Sequence, residues 1–98
     1  MDNYSVILPA LNEEQGIIAV LDRLRSLPSA PEVIVVDDGS TDRTGEIARA
    51  KGARVLVHPM PGGYGRSLKD GINAATHDII VIADADGTYP VERIPDLL

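Results

Sequence analysis

Cysteine is absent from the 98 residues, which removes disulfides, thiolate metal ligands and thiol nucleophiles together. Phenylalanine and tryptophan are absent too, and three tyrosines are the whole aromatic complement. Stacking of bases on aromatic rings, a common route to single-stranded nucleic acid, has almost nothing to work with. Basic side chains number 9 against 15 acidic ones, for a net charge of −6, so a polyanionic backbone is repelled rather than attracted. Long apolar runs are missing as well. The longest, Ile79 to Ala83, falls far short of the roughly 20 residues of a membrane helix. The amino terminus, Met1-Asp2-Asn3-Tyr4, lacks the basic-then-apolar pattern of a signal peptide. These absences predict a cytoplasmic protein with no nucleic-acid partner and no membrane segment in this chain.

What remains is a chain rich enough in apolar residues, 44%, to bury one small core. Ser5-Val6-Ile7-Leu8 reads as a buried strand stopped by Pro9. Asn12 is placed to open a helix with Gln15 as its capping-box partner. Ile17, Val20, Leu21, Leu24 and Leu27 then mark one buried helical face, ended by Pro28 and Pro31. Val33 to Val36 is a second strand. After it, Ser40, Thr41 and Asp42 can each cap a helix running through Ile47 and Ala48 to Gly52. Val55 to Val57 is a third strand, and Pro59 to Gly65 a Pro/Gly-rich loop. Leu68, Ile72 and Ala75 supply the apolar stripe of a third helix, Ile79 to Ala83 a fourth buried strand, and Val91 to Leu98 the start of another helix. Continuous Val/Ile runs predict strands covered on both faces, and helical crossovers predict a parallel α/β sheet.

In such a sheet every loop leaving a strand's carboxyl end lies on one edge, where ligands bind. Those loops carry Asn12 and Glu13, then Asp37-Asp38-Gly39-Ser40, then Gly62-Gly63-Tyr64-Gly65-Arg66, then Asp84-Ala85-Asp86. The opposite edge carries plain linkers, Ser29-Ala30-Pro31 and Thr76-His77. Each motif also has an ordinary structural explanation. Asp37 and Asp38 can start a turn and cap a helix, or bind ribose hydroxyls or a base N–H. The glycines can serve the turn alone, or seat a phosphate with Arg66 as counter-charge. Asp84 and Asp86, two residues apart after an apolar strand, can share Mg²⁺, which completes its shell with water and substrate phosphates. His58 and His77 stand without ligand partners at metal spacing and are read as structural, while Tyr64 and Tyr89 fall on the ligand edge.

Ser5 to Glu13, Val35 to Asp42 and Asp84 to Gly87, in that order and spacing, resemble the family 2 glycosyltransferases, most closely the dolichyl- or polyprenyl-phosphate sugar transferase branch. The resemblance implies a GT-A fold, a Rossmann-like open sheet of about four parallel strands ordered 3-2-1-4 with helices on both faces. It implies that Pro9 and Glu13 line a base and ribose pocket and that Asp38 contacts the base or ribose, with Asp37 nearby. It extends the nucleotide-sugar site to Leu11, Gly65, Arg66, Asp84 and Ala85. Asp84 and Asp86 become a DxD motif for Mg²⁺ or Mn²⁺, with Asp86 the preferred direct ligand. Leu11, where a tyrosine is common, and Thr88, where a glutamine is common, depart from the pattern.

Family members continue well beyond the position of Leu98. The expectation is therefore a donor-binding half, residues 1–98, with no catalytic base for an acceptor and no activity alone. Its parent would move a hexosyl group from a UDP- or GDP-linked sugar to a polyprenyl phosphate or saccharide, at the cytoplasmic face of a membrane. An exposed fourth strand would favour a homodimer. Three other readings share parts of the pattern. A receiver domain places its acidic pair after the first strand, whereas here it follows the second. A nucleotidyltransferase places its glycine loop after the first strand. A non-catalytic α/β scaffold would keep the acidic turns and bind nothing.

Overall fold

The computed structural model describes residues 3–28 and 30–98; Met1 and Asp2 of the amino terminus and Ser29 of the first linker lie outside it. The chain alternates strand and helix. β1 is Tyr4–Ala10, α1 Glu14–Arg25, β2 Glu32–Asp37, α2 Thr44–Ala50, β3 Arg54–Val57, α3 Tyr64–Ala74 and β4 Ile79–Ile82. A 3₁₀ turn, Val91–Arg93, leads into a short helix α4, Ile94–Leu97, so the last expected helix is broken in two. All strand pairs are parallel, and the sheet order is β3-β2-β1-β4, as the resemblance implies.

β1 is the centre of the sheet, and Val6, Ile7 and Leu8 have no exposure at all. The strand does not stop at Pro9 but continues through it, with Pro9 opposite Val36. β4 pairs with β1 only as far as Ile7. Pro9 thus has a neighbour on one side only, a position where a missing N–H is tolerated.

The two faces of the sheet are unequal. Val6, Leu8 and Val35 meet Ile17, Val20, Leu21, Leu24 and Leu27, with Ala48 of α2 and Val91 and Ile94 at the carboxyl end. Every apolar position expected on the first helix is buried there. The other face holds a smaller cluster of Ile7, Ile34 and Val36, roofed by α3. That helix buries Ser67 and Gly71, whereas Leu68 is half-buried, Ile72 exposed, and Ala75 lies just past the helix end. The expected stripe of Leu68, Ile72 and Ala75 is therefore not the buried face. A Cβ at Gly71 would collide with the side chains of Ile7 and Val36, so helix and sheet meet backbone-close through small residues. Coverage of both strand faces is likewise incomplete. Edge strand β4, expected buried, leaves Ile79 and Ile82 exposed, and on the β3 edge Val57 is exposed as well.

Candidate functional site

All four loops at the carboxyl edge are built around polar contacts between different segments. Asn12 is the only non-glycine residue with positive φ among those described, at 54°. Its side-chain oxygen accepts from the Thr41 and Asp42 amides at 2.8 and 3.3 Å. Its own amide donates to Ser40 Oγ, the Glu13 amide to Thr44 Oγ1, and the Glu14 amide to Asp42 Oδ2. The Glu14 amide of α1 and the two amides before it thus find their acceptors among residues 40–44, and the expected capping box with Gln15 is not formed. α1 begins at Glu14, with Glu13 at its cap position making no side-chain cap bond. Asp42 serves both helices, since its other oxygen accepts from the Thr44 amide and hydroxyl. Burial alone would raise the Asp42 carboxyl, but these hydrogen bonds outweigh it and leave it below the ordinary value.

Asp37 and Asp38 close β2, both 6% exposed, and their roles diverge. Asp37 accepts the Ser40 amide at 3.0 Å and lies so close to Gly45 that a Cβ there would strike Oδ2. It shapes the turn and the start of α2. Asp38 points the other way, toward the β3–α3 loop. Its Oδ1 accepts the Gly62 amide at 2.8 Å and meets His58 Nδ1 at 2.7 Å, while its Oδ2 accepts the Gly63 amide at 3.0 Å. Burial would raise the Asp38 carboxyl, but the bonds from His58, Gly62 and Gly63 prevail and hold it below the usual carboxylate range. Charge-assisted bonds of this kind are among the strong ones.

Pro9, Ala10, Leu11, Asp38, Pro61, Gly63, Tyr64 and Ser67 enclose a half-open cavity of about 270 Å³. Its walls are mostly apolar, with Asp38 the one carboxylate. Three expected donor-site residues, Pro9, Leu11 and Asp38, are brought together here. Glu13, Asp37, Gly65, Arg66, Asp84, Ala85 and Asp86 share the edge without lining this cavity. Gly65 stands in open space. Arg66 is exposed in the first turn of α3, 3.8 Å from Asp70.

Asp84 and Asp86 follow β4 and are exposed, whereas the Ala85 methyl between them packs into the core. Asp86 Oδ1 accepts the Thr88 amide at 2.9 Å and the Thr88 hydroxyl at 2.7 Å. These bonds, the amide first, hold its carboxyl below the ordinary value, and among the described residues no hydrogen bond reaches its second oxygen. Asp84 forms no ion pair among the described residues. No cluster of three or more His, Asp or Glu suited to a metal exists among the described residues. Two exposed carboxylates nevertheless suit Mg²⁺ or Mn²⁺, which fill their remaining positions with water and phosphate oxygens. The segment is held from beneath. A Cβ on Gly16 would come within 2.8 Å of the Asp86 backbone, so only glycine lets this loop rest on α1. Arg23 donates to the Gly87 and Tyr89 carbonyls at 3.0 and 3.2 Å and pairs with Glu92, whose carboxyl it draws down to about 2.

Several of these parts escape a reading of the sequence. His58 follows an apolar strand on the ligand edge just as Asp38 and Asp84 do, and that position was the available signal. Gly16 and Ser67 gave none, and Asn12 was placed at the helix start and on the ligand edge but with a local partner in place of the distant ones it has. Ser67 Oγ is buried without a hydrogen-bond partner among the described residues.

Residues 5–98 match the family model described as glycosyl transferase family 2. The chain is 41% identical over 97 residues to an uncharacterized glycosyltransferase of Mycobacterium tuberculosis, covering 99% of this chain and 43% of the relative. It is 39% identical over 97 residues to the dolichyl-phosphate hexose transferase of Haloferax volcanii, covering 99% and 42%. Among solved structures, glucosyl-3-phosphoglycerate synthase of M. tuberculosis in complex with Mn²⁺, UDP and glucosyl-3-phosphoglycerate superposes with a TM-score of 0.80 at 38% identity. The match covers 95% of this chain and 37% of that one. The chain spans less than half the length of these relatives. Sheet order, the acidic loops on one edge and a family match over nearly every residue agree: the chain belongs to glycosyl transferase family 2.

Proposed function

We propose that this chain is the nucleotide-sugar-binding half of a transferase that moves a hexosyl group from a nucleoside-diphosphate sugar to a polyprenyl phosphate or saccharide. The observation that carries this reading is the pairing, on one sheet edge, of a small apolar cavity bearing one carboxylate with two exposed carboxylates on a braced loop. A base fits the cavity between Pro9, Leu11 and Tyr64. Asp38 Oδ2, with one protein donor, keeps capacity to accept from a base N–H or ribose hydroxyl. Glu13 and Asp37 flank the ribose side, and Gly65 and Arg66 face the phosphates. Asp84 and Asp86, with Asp86 the preferred ligand, would hold Mg²⁺ or Mn²⁺, which when bound would supply positive charge to offset that of the departing diphosphate. The synthase from M. tuberculosis, solved with Mn²⁺ and UDP, supports that assignment. On this reading the chain supplies the donor side only, and sugar transfer by the chain alone is not expected.

Titration of the ¹⁵N-labelled chain with UDP and GDP, each with and without Mg²⁺ or Mn²⁺, tests the reading. Metal-dependent shifts at Asp38, Asp84 and Asp86 are expected for one base, and Asp86→Ala is expected to remove the metal dependence. A well-dispersed spectrum that no nucleotide perturbs would defeat it.

No helix among the described residues is long and apolar enough to cross a membrane, and we place the chain in the cytoplasm, with the whole enzyme at the membrane's cytoplasmic face. β4 is paired only with β1, and its open side, with Ile79 and Ile82 exposed, suits a second copy of the chain. Sedimentation at high protein concentration should show a dimer that Ile82→Lys disperses; a monomer at every concentration would dismiss the pairing.

A further inference from the structure

His58 directly follows β3, is 6% exposed and lies between two carboxylates from different segments. Its Nδ1 is 2.7 Å from Asp38 Oδ1 at the end of β2, and its Nε2 is 2.7 Å from Asp70 Oδ2 on α3. A neutral imidazole has one N–H and satisfies one acceptor; only imidazolium donates from both nitrogens. Two carboxylates at hydrogen-bond distance from the two nitrogens are therefore the surroundings of the charged ring. The charged groups facing it are Asp38, just past β2, and Asp70 and Arg66 from α3. The bond to Asp38 is the largest influence and raises His58 above an ordinary imidazole. Burial opposes it, Asp70 adds to it and Arg66 subtracts.

The chain of contacts does not end at Asp38. The oxygen that meets His58 also accepts the Gly62 amide, and its twin accepts the Gly63 amide. Asp38 and Gly63 are walls of the cavity, whereas His58 and Asp70 are not. We infer that His58 is the positioning residue of the nucleotide pocket: as a cation bridging Asp70 to Asp38, it fixes the Asp38 carboxylate and, through it, the Gly62–Gly63 wall. This rests on the donor-pocket reading above and assigns a further residue to it. Loss of the ring's charge leaves one carboxylate facing a lone pair. The β3–α3 loop then loses the anchor that aims it.

The test follows the His58 ring nitrogens, the Gly62 and Gly63 amides and the affinity for UDP and GDP with Mg²⁺ in the ¹⁵N-labelled chain, from about pH 5 to pH 9. The expected result is a His58 ring protonated on both nitrogens at neutral pH, losing its proton at higher pH than an ordinary imidazole. The Gly62 and Gly63 amides should move with it, and nucleotide affinity should fall about tenfold over the same range. Asp70→Asn should shift all three changes to lower pH. His58→Gln should bind more weakly with no such pH dependence; if it does not fold, the Asp70→Asn comparison decides. A ring with one N–H at neutral pH, loop amides indifferent to its titration, or affinity unchanged while the amides move would each overturn the assignment. If the wild-type chain binds neither nucleotide at any pH, the donor-pocket reading fails instead. The amide response to ring titration then upholds or overturns the clamp by itself.

Discussion

Asn12 shows how much a single side chain can organise. It occupies the left-handed region at φ 54°, which Asn tolerates better than most residues, and its oxygen gathers amides from the β2–α2 loop. Asn12→Ala should therefore cost about 1–2 kcal/mol, combining backbone strain with lost acceptor bonds. Asn12→Gly should cost less, since it removes the strain and keeps only the second loss. Urea unfolding of both variants checks the order; equal losses would mean that backbone conformation is irrelevant there. The local spacing to Gln15 suggested a cap inside α1. Nothing near Asn12 in the sequence announces partners some 29 residues away, so a local pattern lost to a tertiary one. Asp84 and Asp86 were legible for the opposite reason, as they stand on a short loop directly after a strand.

At the level of elements, the legible parts are those with a strong periodic apolar face. α1 buries Ile17, Val20, Leu21 and Leu24 as its spacing requires. Leu24→Ala should destabilise the chain by about 2–5 kcal/mol. α3 reads wrongly because its contact with the sheet is made by Ser67 and Gly71; small residues let backbones approach but carry no hydropathy signal. Ile72, prominent in the sequence, is exposed, and Ile72→Ser should change stability by no more than about 0.5 kcal/mol. The two unfolding free energies side by side test which helix carries the core. Comparable losses would return Ile72 to the interior. β4 misleads similarly: its unbroken apolar run reads as buried, yet one side of the strand is a sheet edge.

For the molecule as a whole, ionisation sets opposing limits on stability. In Glu32, Asp38 and Asp42 burial pushes the carboxyls up, and the hydrogen bonds they accept outweigh it and leave them lowered. Their contribution is complete above the unfolded carboxylate values, near pH 4, and is lost as pH falls through the lower folded values. His58 is raised, so its contribution is complete below about pH 6.5 and is lost as pH climbs through its folded value. Urea midpoints should be highest between about pH 4.5 and pH 6.5 and decline on both sides. A midpoint that rises steadily from pH 6 to pH 9 would contradict the charged state of His58. The fold class was legible in the alternation of strand and helix, and the strand order was implied by the family resemblance that three ordered motifs carry. The wiring between those motifs was not, because hydrogen bonds between loops leave no periodic trace.

That wiring makes the first two ligand loops one part rather than two. The amides of Asn12, Glu13 and Glu14 end on Ser40, Thr44 and Asp42, and Thr41 and Asp42 reply through Asn12. Transplanting the first loop alone into another open sheet would strand its helix start without acceptors. A graft of residues 11–14 has to carry residues 40–44 with it, as one indivisible cassette.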